Sequence, residues 1–162
     1  MTNHSGSMVP VGGAGDGRWK IGVMSGGVAM EVEMELIRAG QILEFSNSGV
    51  TSRQLLFPEN SSSTRLTITR VTVTPGARNP PHRHPASEQV WVALRGHGNL
   101  QLDAGRIEPF VEGDVVRFEE AELHAFENTG SADFEYLSVT SPAVNFRGAY
   151  DKDWSGKGQN NA

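Results

Sequence analysis

The segment PGARNPPHRHPASEQVWVALRG spans residues 75–96 and contains two histidines, His82 and His84, two residues apart. On an extended backbone, residues i and i+2 project from the same face, so both imidazoles can point at one metal ion. A third histidine, His124, follows at the predicted end of another strand pair. Three of the five histidines in the chain thus fall into one pattern. We interpret this pattern as a metal site.

The composition excludes several classes of function. With 162 residues, the chain is long enough for one domain with a single core and too short for two of ordinary size. The net charge is −5, and the lysines and arginines are scattered singly, so no surface for nucleic acid is predicted. The absence of cysteine excludes thiolate ligands and disulfides.

The sequence contains no predicted membrane or export signal. No apolar run approaches the roughly 18 residues of a membrane-spanning helix. Residues 1–17 are polar and rich in glycine, and they lack the apolar centre of a secretory signal. We therefore expect a cytoplasmic protein that does not bind membranes.

Short strand-like segments recur along the chain without a convincing amphipathic helix. Residues 30–36 alternate apolar residues with glutamate, which is typical of a half-buried edge strand with a solvated acidic face. Residues 65–74 are rich in β-branched residues and give the strongest strand prediction. Residues 90–94 are apolar on both faces and are predicted to be buried on both sides. The pattern predicts an all-β sandwich or small barrel.

The histidine segment resembles the first motif of the cupin superfamily. In this chain the motif begins at Gly76, continues after five residues with His82-x-His84, and ends after a Glu/Gln step at Gly96. The segment Gly113–Asn128, with His124 inside it, resembles the second cupin motif. It departs from that motif in the turn before His124, where the family usually has a proline and a glycine and this chain has Glu119 and Ala121.

The resemblance covers about residues 62–141 and implies a double-stranded β-helix, or jelly-roll barrel, of the single-domain cupin-2 type. We divide the chain into a flexible N-terminal arm (1–18), N-terminal strands that pack on the barrel (19–61), the cupin barrel (62–145) and a C-terminal tail (146–162). Turns are predicted at residues 96–98 and, as a hairpin-like corner, at 113–114. Aromatic side chains in the tail are expected to pack on the outside of the barrel: Phe146, Tyr150 and Trp154.

The resemblance implies a fourth metal ligand, for which two neighbouring residues compete. Glu88 and Gln89 both lie at allowed spacings after His84. Successive strand residues point to opposite faces, so only one of them can face the histidines. If Gly96 fixes the register, Gln89 faces inward, and we prefer it; Glu88 stays the alternative. A glutamine ligand leaves the site one charge more positive than a glutamate would and favours an anionic substrate.

Three imidazoles and one oxygen suit a single divalent transition metal, namely Fe, Mn, Ni or Zn. From the resemblance we expect a metal-dependent enzyme, of dioxygenase type, acting on a small organic acid or on a hydroxylated aromatic or enol substrate. A metal-dependent isomerase or lyase and a non-catalytic small-molecule-binding protein are the alternatives. No organic cofactor and no catalytic residue are assigned.

Other side chains are predicted to line the barrel or to join two chains. The expected lining residues are Leu66, Ile68, Trp91, Phe118, Phe126 and Tyr136, of which Tyr136 is the natural proton donor if it faces the metal. Arg83 and Asn128 are expected to be structural, and His97 to lie on the surface. The apolar strand at residues 90–94 and the edge strand at residues 30–36 are suited to a symmetric contact, so we predict a homodimer.

Overall fold

The computed structural model describes residues 18–25, 28–152 and 154, and the chain divides into two compact units, residues 1–41 and 42–162. In the first unit, β1 (Arg18–Ser25) pairs antiparallel with β2 (Val28–Glu35), and a 3₁₀ turn follows at Ala39–Gln41. The alternating segment is therefore a strand, as predicted, and Met34 on it is 49% exposed. Most of the predicted arm, residues 1–17, lies outside the described residues.

The second unit contains two antiparallel sheets. The larger has the spatial order β10 (Val115–Phe118), β7 (Glu88–Arg95), β12 (Phe134–Ser141), β5 (Thr67–Val73), β4 (Val50–Leu56) and β3 (Leu43–Asn47). The smaller has the order β6 (Arg78–His82), β11 (His124–Glu127), β8 (His97–Leu102) and β9 (Ile107–Val111). A 3₁₀ turn covers Asp103–Gly105, and one helical turn, α1, covers Arg147–Tyr150. No helix among the described residues is long and apolar enough to cross a membrane.

Burial alternates along the strands, so each sheet turns one face inward. Along β7 and β12 every second residue is buried, and the aromatic rings of the two sheets meet between them. Phe126 of the smaller sheet stacks on Phe134 of the larger with 4.2 Å between ring centroids. The predicted all-β jelly roll is confirmed. The predicted boundary between residues 61 and 62 falls between β4 and β5, which are hydrogen-bonded neighbours in one sheet.

The inner face of β5 differs from the prediction. Leu66 is 36% exposed and Ile68 points to the outer face, whereas Thr67, Thr69 and Val71 are buried. Both faces of this strand are rich in β-branched residues, so hydrophobicity alone does not fix its register. The Thr67 hydroxyl donates to the Val144 carbonyl (2.8 Å) and accepts from the Val144 amide (3.0 Å), which satisfies it inside the barrel.

Three local predictions need correction. His97 is not in a turn but begins β8, and a Cβ at its neighbour Gly98 would lie 2.2 Å from the Phe126 ring, so only glycine fits there. Residues 113–114 connect strands of different sheets and do not form a hairpin. Residues 90–94 are buried on one face only, since Leu94 is 41% exposed and Val90 and Val92 are half-buried.

Candidate metal centre

The three predicted histidines meet at one end of the smaller sheet. His82 ends β6, and it lies directly opposite His124, the first residue of β11. The ring centroids of His82 and His124 are 4.4 Å apart. The centroid of the His84 ring lies 5.0 Å from that of His82 and 5.4 Å from that of His124. One ligand nitrogen from each ring lies within 4.8 Å of the other two. Nitrogens that share one metal at bonds near 2.0–2.1 Å lie about 3–4 Å apart, so the three rings nearly match that arrangement.

The turn before His124 is held against the histidine segment. Ala121 occupies the place where the family usually has a glycine, and its φ of 61° lies in the left-handed region that favours glycine. Its amide donates to the His84 carbonyl at 2.9 Å. The backbone at Ala121 therefore has the conformation that glycine favours, and this hydrogen bond ties the turn before His124 to His84.

Backbone carbonyls lie beside Nδ1 in two of the three rings. His82 Nδ1 lies 2.9 Å from the Pro80 carbonyl and His124 Nδ1 lies 2.9 Å from the Glu122 carbonyl. A carbonyl only accepts, so a neutral ring with its proton on Nδ1 donates to this carbonyl and keeps a lone pair on Nε2 for a metal. The Nε2 of His84 is buried and has no hydrogen-bond partner among the described residues. Three Nε2 atoms are thus available to a metal.

Gln89, and not Glu88, faces the histidines. Gln89 is 4% exposed, and its Oε1 lies 3.0 Å from His124 Nε2. Glu88 points to the outer face, where its carboxylate pairs with Arg117 at 2.7 Å. The parity set by Gly96 explains this result, since Gln89 shares its face with the buried Trp91.

The Gln89 amide is held in one orientation. Its Nε2 donates to Thr140 Oγ1 (2.8 Å), and its Oε1 accepts from the Trp91 indole Nε1 (2.8 Å). The reverse orientation would set the amide NH₂ against the indole N–H, two donors facing each other. The Oε1 lone pairs therefore point into the site, beside the three imidazoles.

All three rings are held neutral. Burial lowers the pKa of His124 to about 3, and the repulsion that two protonated rings would feel between His124 and His82 acts in the same direction. Burial lowers the pKa of His84 to about 4, again with a contribution from His82. Burial also lowers the pKa of His82 itself. Neutral imidazoles are the form that binds metal, so the site is prepared for a cation at ordinary pH.

Comparison with known proteins gives the family. The cupin domain family model matches residues 69–140. A relative described as an oxalate-binding protein, from Thermotoga maritima, is 31% identical over 90 residues, which make up 56% of this chain and 74% of the relative. This chain belongs to the cupin superfamily.

Solved structures agree with this cupin assignment. The crystal structure of a predicted oxalate decarboxylase from Thermotoga maritima is 26% identical, with a TM-score of 0.58 over 66% of this chain and 98% of that one. A polyketide cyclase from Streptomyces resistomycificus is 24% identical, with a TM-score of 0.56 over 67% of this chain and 79% of the cyclase. The cyclase shows that the fold is shared.

In this cupin His82, His84 and Gln89 line a cavity of about 480 Å³. One wall comes from the inner face of the larger sheet and carries hydroxyl groups on Ser52, Thr69, Tyr136 and Ser138. The C-terminal segment supplies aromatic side chains, which we had expected on the outside of the barrel: Phe146, Tyr150 and Trp154. The Phe146 ring centroid lies 5.5 Å from that of His84. These aromatics recur at every fourth residue, and this spacing is the sequence signal for the wall.

The C-terminal segment is fastened to the barrel beside the cavity. Arg147 pairs with Glu59, to which its Nε donates at 2.8 Å, and its guanidinium lies 4.7 Å above the Phe45 ring. The Asn47 amide donates to the Tyr150 and Lys152 carbonyls. These contacts hold the aromatic wall in place.

The other predicted lining residues have different positions. Trp91 and Tyr136 line the cavity, and burial raises the pKa of Tyr136 well above its ordinary value, so its phenol keeps its proton. Phe118 stacks on His124, with ring centroids 4.1 Å apart and planes 9° apart. Phe126 lies in the core and not along the cavity.

The three residues expected to have no role in the site behave differently from one another. Asn128 donates to the Val73 carbonyl at 2.7 Å and so supports the barrel wall. His97 is exposed. Arg83 is exposed at the cavity rim, 3.8 Å from Asp103, and therefore contributes charge to the entrance.

Proposed function

We propose that this cupin holds one divalent transition metal through Nε2 of His82, His84 and His124 and Oε1 of Gln89, and that it binds a small organic acid there. One observation carries the proposal: a ligand nitrogen of each of the three histidines lies within 4.8 Å of the other two, and Gln89 Oε1 lies 3.0 Å from His124 Nε2. Imidazole nitrogens with one oxygen suit Fe, Mn, Ni or Zn. The carbonyls that accept from Nδ1 orient the rings, as outer partners of metal-binding histidines do.

The charge of the cavity supports an anionic ligand. All four proposed metal ligands are neutral, so a bound divalent ion would keep its full charge. The charged side chains in the described lining are Arg83 and Lys152, both of them cations. When bound, the metal would supply a Lewis acid whose open positions take a carboxylate or enolate oxygen.

The surrounding side chains prepare the site in two ways. Phe118 and Trp91 cover His124, which is 1% exposed, and so keep water from one side of the ligand set. Tyr136 retains its proton because of its burial, and it can donate a hydrogen bond to an anionic oxygen in the cavity.

Binding without turnover is the second candidate function. The relative from Thermotoga maritima is described as an oxalate-binding protein, which supports a small acid as ligand and leaves turnover open. The dioxygenase activity expected from the family resemblance stays a prediction, because cupin barrels carry many unrelated chemistries.

Metal analysis and calorimetry test the proposal. Protein purified without added metal is analysed for bound metal, stripped, reloaded with Mn(II) or Zn(II), and titrated with oxalate. We expect about one metal per chain and oxalate binding that is lost on stripping. Oxygen uptake with catechols and diketones by the iron-loaded protein would support the dioxygenase, whereas binding without product would support the binding protein. Failure to take up any metal would overturn the proposal.

A further inference from the structure

Ser138 has an unused hydroxyl inside the cavity. Among the described residues, three buried side-chain polar atoms have no hydrogen-bond partner, namely Gln54 Oε1, His84 Nε2 and Ser138 Oγ. His84 and Ser138 both line the cavity, and Ser138 is 3% exposed. A buried polar atom without a partner costs free energy, about 1–3 kcal/mol, unless a ligand or water satisfies it. The His84 nitrogen is explained by the proposed metal, while the Ser138 hydroxyl is not.

Two other hydroxyls on the larger sheet are already engaged. Ser52 Oγ accepts from the Gln54 amide at 2.8 Å, and Thr140 Oγ1, two residues further along β12, accepts from the Gln89 amide at 2.8 Å. Ser138 lies directly opposite Trp91 on β7 and Thr69 on β5. Its hydroxyl is therefore a free contact point one strand away from the Gln89 side of the proposed metal site.

The cavity is larger than a metal-bound oxalate requires. Its volume of about 480 Å³ lies in the range of about 300–1,000 Å³ that takes drug-sized ligands. Beyond the histidines, it has one hydroxyl-bearing wall and one aromatic wall. Phe146 lies beside His84, so an acid bound at the metal would extend along an aromatic ring. A flat apolar ring in the ligand would fit the aromatic wall, and a polar substituent on that ring would fit the hydroxyl-bearing wall, which contains Ser138.

We propose that Ser138 is a second binding point in this cavity and that the ligand is a hydroxylated aromatic acid. Its carboxylate lies at the metal, its ring lies against Phe146, and its hydroxyl exchanges a hydrogen bond with Ser138 Oγ. This assignment rests on the proposed function, since the acid group needs the metal. Ser138 is then a specificity-determining residue that recognises the substituent and leaves the metal untouched.

Paired ligands and paired variants test the assignment. Benzoate and the three monohydroxybenzoates are titrated by calorimetry into Mn(II)-loaded wild-type protein, Ser138→Ala, and the control Ser46→Ala. Ser46 lies on β3 of the same sheet with its side chain exposed, so this control removes a hydroxyl away from the cavity. Metal content is measured for each protein before titration.

We expect at least one hydroxybenzoate to bind the wild type and Ser46→Ala about 3- to 10-fold more tightly than benzoate, the effect of one neutral hydrogen bond. In Ser138→Ala this advantage should vanish, while benzoate affinity and metal content stay unchanged. An advantage that persists in Ser138→Ala would overturn the assignment, as would oxalate binding with no benzoate binding. Loss of metal from the wild type itself would instead refute the proposed function.

Discussion

His124 Nε2 lies 3.0 Å from Gln89 Oε1, while Nδ1 of the same ring lies 2.9 Å from the Glu122 carbonyl. Both oxygens can only accept, because the Gln89 amide protons are on the side of Thr140, and a neutral imidazole has only one proton to donate. One of the two contacts therefore sets a ring lone pair against an oxygen unless a cation binds at Nε2 while Nδ1 donates to the carbonyl. This conflict supports the proposed metal at Nε2, and it makes Gln89 the residue whose replacement is most informative.

Gln89→Glu is expected to strengthen metal binding and weaken anion binding. The carboxylate keeps the shape of the amide, accepts from the Trp91 indole in the same way and can accept from the Thr140 hydroxyl. It adds one negative charge, so the metal is held more tightly and the bound ion has less net charge for the ligand. We expect metal affinity to rise and oxalate affinity to fall, each about tenfold, in calorimetric titrations.

Glu88→Gln is the matched control for this change. It removes a negative charge at the neighbouring residue, whereas Gln89→Glu adds one. The only interaction that it breaks is the exposed ion pair with Arg117. Metal affinity should stay within about twofold of the wild type. A large loss in Glu88→Gln with no effect in Gln89→Glu would mean that Glu88 is the ligand after all.

His82→Ala is expected to abolish stable metal binding while leaving the fold intact. His82 is half-buried at the end of an edge strand of its sheet, and its ring contributes one of the three nitrogens. Elemental analysis of purified protein should find about one metal per chain in the wild type and none in the variant. His97→Ala removes an exposed imidazole and should keep the metal; equal metal content in all three proteins would show that the metal lies elsewhere.

The stability of metal-free protein should fall as the pH drops below 6.5. The pKa values of His84 and His124 are lowered to about 4 and about 3, so between pH 4 and 6.5 the unfolded chain binds more protons than the folded one. Stability then rises with pH, by at most about 1.4 kcal/mol per pH unit for each histidine and by less where solvent reaches the ring, as at His84.

Urea unfolding between pH 5.0 and 6.5 measures this slope. Near pH 5 Glu59 adds a smaller slope of the same sign, because its hydrogen bonds with Arg147 and Asn145 lower its pKa to about 2. His124→Gln should reduce the slope, because it removes the most strongly shifted ring. Equal stability at both ends of the window would contradict neutral, buried histidines.

Much of the site could be predicted from residue spacing because strand geometry is simple. The spacing of His82-x-His84 predicted two imidazoles that meet at one point, and the parity of β7 selected Gln89 once Gly96 set the register. Residue spacing could not predict which face of a strand points into the barrel when both faces have a similar composition. Along residues 65–74 both faces are rich in β-branched residues, and a hydrogen bond such as that of Thr67 to Val144 then favours one of them on the inside.

The cavity beyond the histidines and Gln89 could not be predicted in the same way. Phe146 and Ser138 come from segments with ordinary strand or tail composition, and they line one cavity only because the C-terminal segment returns to the barrel. That return depends on long-range contacts such as Arg147 with Glu59, 88 residues apart. A short aromatic series after the last strand gives a weak sign of a cavity wall, and a lone serine in a strand gives none.

Association through the outer face of the larger sheet is the last prediction. On this face Val92 pairs with Val115 on β10 and with Leu137 on β12, which makes an apolar row across three strands, and Val115 is 64% exposed. A second copy of the chain would bury this row against itself about a two-fold axis.

Light scattering at micromolar concentration should show a dimer, and Val92→Glu should convert it to a monomer because it places a charge in the contact. Ile107→Glu is the control, since Ile107 is 60% exposed on β9 of the other sheet and its replacement should leave the dimer unchanged. A monomeric wild type, or a dimer that dissociates only in Ile107→Glu, would exclude this face.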